Sequence, residues 1–78
     1  RSSVEEQLEA RELTESIIRF LGGISREKRM LFVRRYWYSY SVKDLSRQFS
    51  MSESKVKMIL FRVRNDLKKY LEKEGIHL

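Results

Sequence analysis

The stretch from Ser41 to Asn65, SVKDLSRQFSMSESKVKMILFRVRN, decides the fold. It reads as two helices broken by a tight corner. Ser41 and Asp44 stand at the spacing of a capping box, in which each side chain satisfies a backbone N–H left free at a helix start. Val42, Leu45 and Phe49 follow as the apolar positions of a short helix, and Ser50 and Met51 form the connection. Ser52 is a fresh N-cap. From there Val56, Ile59, Leu60, Val63, Leu67 and Leu71 recur at helical spacing, while Lys55, Lys57, Arg62, Lys68 and Lys69 fill the remaining surface. A short helix, a tight turn and a longer basic helix make a helix-turn-helix. For that unit to hold, Val42, Leu45 and Phe49 must pack on Val56 and Leu60 at a steep crossing that pushes the second helix outward. Its first two turns then suit a groove about 12 Å wide.

Upstream, the pattern continues as helix. Ser3 and Glu6 repeat the capping-box spacing, and Val4, Leu8, Leu13, Ile17, Phe20 and Leu21 predict one buried stripe. Gly22 and Gly23 end it, with one of them expected in the left-handed conformation. Ser25 caps a second helix in which Leu31, Phe32, Tyr36 and Trp37 alternate with Arg29, Arg34 and Arg35, half core and half cationic. At the far end Gly75 stops the last helix and Ile76, His77 and Leu78 are expected to fray. The fold class is therefore all-α, one domain over residues 1–78 with helices at about 3–21, 26–37, 42–49 and 53–73. The start at Arg1, followed at once by an acidic helix, reads as a piece of a longer protein.

Composition narrows the function. The chain has 78 residues, no cysteine, no proline and a net charge of +6. The charge is unevenly spread. Residues 1–23 carry three basic and five acidic side chains, whereas residues 24–50 carry seven and two, and residues 51–78 seven and four. The positive field belongs to the last two thirds, the profile of a polyanion binder. No cysteine means no disulfide framework and no thiolate chemistry, which suits a reducing, cytoplasmic setting. No apolar run approaches the ~20 residues of a membrane span. The one histidine, His77, lies at the end, Gly22-Gly23 lacks the partners of a phosphate loop, and Glu5, Glu6, Glu9 and Glu12 run along one helix rather than converging. No catalytic residue, metal site or cofactor is expected.

With these residues in view, a resemblance is specific enough to name. Ile24 to Trp37, ending in Arg35-Tyr36-Trp37, then Ser41-Val42-Lys43-Asp44-Leu45, Met51-Ser52 and Val56-Lys57, together resemble region 4 of the sigma-70 family. The run Ile59-Leu60-Phe61-Arg62-Val63-Arg64 resembles its extracytoplasmic-function branch. The likeness spans roughly Leu13 to Leu71. It implies a domain that reads the −35 promoter element in double-stranded DNA while another face docks on the flap of the RNA polymerase β subunit, with an anti-sigma factor as a further possible partner. Carried over by position, it sets Glu53, Ser54, Lys57, Met58 and Phe61 toward base edges and Arg35, Ser41, Lys43, Lys55 and Arg62 toward phosphates. Phe20, Leu21 and Phe32 are expected to leave the groove for polymerase, and the domain is expected to be monomeric. Two departures stand out: Ser50 occupies a turn position often held by glycine, and Met58-Ile59 replaces a small polar residue followed by arginine.

Other readings stay open from sequence alone. The same helix-turn-helix could be the output domain of a different transcriptional regulator, which would bind as a dimer on paired half-sites. The chain could also be a helical protein-interaction module whose charge serves solubility. Tyr36, Trp37, Tyr38 and Tyr40 could stack on single-stranded nucleic acid or simply wedge a loop. Arg35 could bind phosphate or satisfy the carbonyls at its own helix end.

Overall fold

Three serines start three of the four helices. In the computed structural model, which describes residues 3–76, the hydroxyl of Ser25 accepts from the Lys28 N–H at 3.3 Å, that of Ser41 from Asp44 at 3.0 Å and that of Ser52 from Lys55 at 3.1 Å. Each removes one orphan donor from a helix N-terminus. The elements are α1 (Ser3–Gly22), α2 (Arg26–Tyr36), α3 (Val42–Gln48) and α4 (Glu53–Lys73), in agreement with the expected all-α class. Ser3 is itself helical, so it belongs to the first turn of α1 rather than standing before it.

The helix ends are less uniform. α3 closes in a Schellman motif: the Met51 N–H donates to the Ser46 carbonyl at 3.1 Å and the Ser50 N–H to Arg47 at 3.4 Å. This geometry requires a left-handed residue between them, and Ser50 supplies it with φ +51°. The backbone thus accepts strain at the position where glycine would be free of it. α4 ends the same way with Gly75 at φ +78°, the Ile76 N–H donating to Leu71 at 2.8 Å. Ile76 is therefore tied down and partly buried, contrary to the expected fraying, while His77 and Leu78 lie outside the described residues. Gly22 and Gly23 also depart from expectation. Neither has positive φ; a single bond from the Gly23 N–H to the Phe20 carbonyl, 3.0 Å, ends α1, and the Arg29 guanidinium donates to the Leu21 carbonyl at 3.0 Å.

α4 is the spine, packing against each of the other helices. Its Val56, Ile59, Leu60 and Val63 meet Leu45 from α3, Leu31 from α2 and Phe20 from α1 in one core, with Phe49, Met51, Leu67 and Tyr70 packed around it. The expected stripe of α1 is only half used. Ser16 and Phe20 are buried and Leu13, Ile17 and Leu21 partly so, but residues 3–12 are exposed throughout, Val4 at 62% and Leu8 at 59%. The reason is geometric: a helix of 20 residues is about 30 Å long, and the core it meets extends along only the second half. The radius of gyration, 14.3 Å, accordingly exceeds the ~11.5 Å of a compact chain of this length. Where α1 does pack, Arg19 pairs with Glu74 at 3.1 Å and both reach the buried hydroxyl of Ser16. The Arg19 hydrogen bond, more than any other influence, holds the Glu74 carboxyl below its ordinary pKa.

Candidate nucleic-acid interface

The interface is built by the corner between α3 and α4. The Schellman closure turns the chain within Phe49 to Ser52, and the Ser46 hydroxyl, donating to the Met51 carbonyl at 2.6 Å, fixes the far side of that turn. Leu45 and Val56, both fully buried, and partly buried Phe49 clamp α3 onto the inner face of α4. Because α4 has the 3.6-residue helical period, burying Val56, Ile59, Leu60 and Val63 forces Ser54, Met58, Phe61 and Asn65 onto the opposite face. All four are exposed, Met58 at 43% and Phe61 at 56%.

All five residues expected at base edges, Glu53, Ser54, Lys57, Met58 and Phe61, lie on the exposed side of the first three turns of α4. Asn65, not among the residues expected at base edges, lies on the same face by its spacing from Phe61. The same period sorts the cations into two rows. Lys57, Arg64 and Lys68 follow one side of the stripe formed by Ser54, Met58, Phe61 and Asn65, and Lys55, Arg62 and Lys69 follow the other. A neutral strip between two positive rows matches the cross-section of a groove bounded by two phosphate strands.

The residues expected at phosphates divide into free and engaged groups. Lys43, Lys55 and Arg62 are exposed. The Ser41 hydroxyl is occupied as an acceptor by its capping bond but keeps its own hydrogen to donate. Arg35 is partly buried and donates to the Tyr40 carbonyl at 3.0 Å, so it braces the loop between α2 and α3, where Ser39 stands at φ +58°. Two further arginines act as staples that the sequence did not reveal. Arg34 donates to the Gln48 side chain at 2.8 Å and lies over the Phe49 ring, joining α2 to the end of α3. Arg64 donates to the Tyr36 hydroxyl and lies over its ring, joining α4 to the end of α2. Trp37 and Tyr38, 73% and 64% exposed, stand out from that loop without filling the core.

On another face, α2 and the second half of α4 enclose a half-open groove of about 400 Å³. Phe32, Tyr36, Leu67, Leu71 and Ile76 make its apolar lining, with Arg64, Lys68 and Glu72 completing it. Of the three residues expected to leave a groove, Phe32 lines this one. Phe20 is instead in the core, its ring 5.6 Å from that of Tyr70, and Leu21 is partly buried beside it. Among the described residues no group of histidine, cysteine and acidic side chains is placed to hold a metal ion, and no helix is long and apolar enough to cross a membrane.

Comparison with curated proteins and with solved structures returned no match. The family model described as Sigma-70, region 4 matches residues 14–67, from the middle of α1 through the helix-turn-helix and along α4. The matched span contains the capped corner and the first two thirds of α4, with its buried Val56, Ile59, Leu60 and Val63, and leaves out the projecting start of α1 and the last turns of α4. The chain belongs to the Sigma-70, region 4 family, a family of helix-turn-helix DNA-binding domains of transcription.

Proposed function

We propose that this domain reads the −35 element of promoters as region 4 of an extracytoplasmic-function-like sigma factor, with the first turns of α4 in the major groove. The observation that carries the reading is the neutral exposed strip on α4 between two cationic rows, set outward by a corner closed at Ser50. Lys55, Arg62 and Lys43 neutralise phosphates and supply affinity without sequence preference, while Ser54, Lys57, Met58 and Phe61 meet base edges. The groove between α2 and α4 suits an apolar helical segment, and in this reading it is the seat of the polymerase β flap, with Phe32 and Leu67 as its anchors.

The test is binding of the chain to a randomised −35 duplex library across a range of salt. Affinity should fall linearly in log salt with a slope of about −0.9 per phosphate neutralised. Lys57→Ala and Met58→Ala should change which bases are preferred. Arg62→Ala should instead weaken all sequences alike and reduce the salt slope by about 1. An unchanged preference profile for both Lys57→Ala and Met58→Ala would remove α4 from the groove. Salt-independent or absent duplex binding would favour an interaction module instead.

A further inference from the structure

The outward strip of α4 is chemically narrow. Running along the helix it offers a hydroxyl (Ser54), a thioether (Met58), a phenyl ring (Phe61) and a carboxamide (Asn65), all exposed and none charged. Arginine, the usual bidentate reader of guanine through O6 and N7, is missing from it; Arg62 and Arg64 stand in the flanking rows, and Arg64 is engaged with Tyr36. Single exposed apolar residues are ordinary. Here two of them, 43% and 56% exposed, sit on successive turns of one face and between cations, where burial against the protein's own core is impossible. They gain only if a partner brings an apolar group into the groove.

Resting on the promoter-reading proposal above, we infer that this domain selects A·T base pairs, with Met58 and Phe61 against thymine C5-methyl groups and Asn65 on the N6 and N7 edge of adenine. Thymine is the one base that presents a methyl group in the major groove, and a carboxamide matches adenine's adjacent donor and acceptor. Ser54 accepts or donates to either partner and adds no preference. Lys57, on the rim of the strip, can donate to guanine O6 and N7, so a single G·C pair at the edge of the site is compatible with an A·T centre.

The experiment uses the 78-residue chain and its best duplex from the randomised library, with each thymine replaced in turn by uracil. That change deletes the C5-methyl and leaves pairing and O4 intact. Uracil at one or two central positions should weaken binding about fourfold, the effect of losing one buried methyl-sized group. Met58→Ala or Phe61→Ala should abolish the difference between thymine and uracil at its own position, and Met58→Leu should keep it. Asn65→Ala should lose preference for adenine at one position. A specific site that is G·C-rich, or one in which no uracil replacement matters, overturns the inference and leaves promoter reading standing. No sequence preference by any duplex overturns both.

Discussion

Ser50 sets the corner between α3 and α4. Its φ of +51° is what lets α3 stop and α4 start within four residues, and a non-glycine residue in that conformation costs roughly 1–2 kcal/mol. Glycine there removes the steric cost but adds about 0.5–1 kcal/mol of unfolded-state entropy. The steric term is the larger, so Ser50→Gly should stabilise the domain by about 0.5–1 kcal/mol, read as a higher urea midpoint at unchanged slope. A lower midpoint would show that the serine side chain contributes a contact worth more than the strain. At the same scale, Arg34, Arg35 and Arg64 show why counting cations overstates the phosphate-binding set. Each looks alike in sequence, and each is at least partly committed to holding helices or a loop together.

At the scale of elements, α1 and α4 use their apolar residues differently. α4 buries Val56, Ile59, Leu60, Val63 and Leu71 along most of its length because the other three helices lie against it. α1 buries residues only from Ser16 onward, and its early Val4 and Leu8 have no core to meet. Replacing Val4 and Leu8 together by serine should therefore change stability by less than about 0.5 kcal/mol in chemical denaturation. Leu71→Ala, at a side chain 1% exposed near the end of α4, should by contrast cost about 2–5 kcal/mol. A large loss from the double serine variant would mean that the start of α1 is held against the body in solution. The family match has the same asymmetry, beginning at residue 14, where packing begins.

Over the whole molecule, stability and recognition share one helix. The inner face of α4 organises the core and the outer face is the one proposed to meet DNA, so a change that tilts α4 should alter both. The last turn of α1 is joined to the C-cap of α4 by the Arg19–Glu74 pair. Glu74 has its carboxyl pKa lowered in the folded state, chiefly by the hydrogen bond from Arg19. The folded protein therefore favours the ionised form, and the stabilisation is present above the ordinary value of 4.5 and lost as pH falls through the lower folded value. Glu74→Gln should unfold earlier than the parent chain at neutral pH, and the gap in melting temperature should close as pH is lowered past 4.5. A gap that persists in acid would assign the effect to packing rather than charge.

Much of this architecture was legible in the chain because it depends on bonds between near neighbours. Ser25, Ser41 and Ser52 cap the N–H three residues ahead, and the apolar period of α4 alone predicts that Met58 and Phe61 face away from Val56 and Leu60. The sequence by itself thus determined four helices, the corner and the exposed face of α4. Only the tertiary structure decided which apolar residues of α1 find a core, that Ser50 and not Gly22 or Gly23 takes the left-handed turn, that Phe20 is interior while Phe32 lines the groove, and which arginines are staples. Those outcomes depend on surfaces brought together from distant parts of the chain, as when Arg64 reaches Tyr36 or Arg19 reaches Glu74, and no local spacing encodes where such surfaces end.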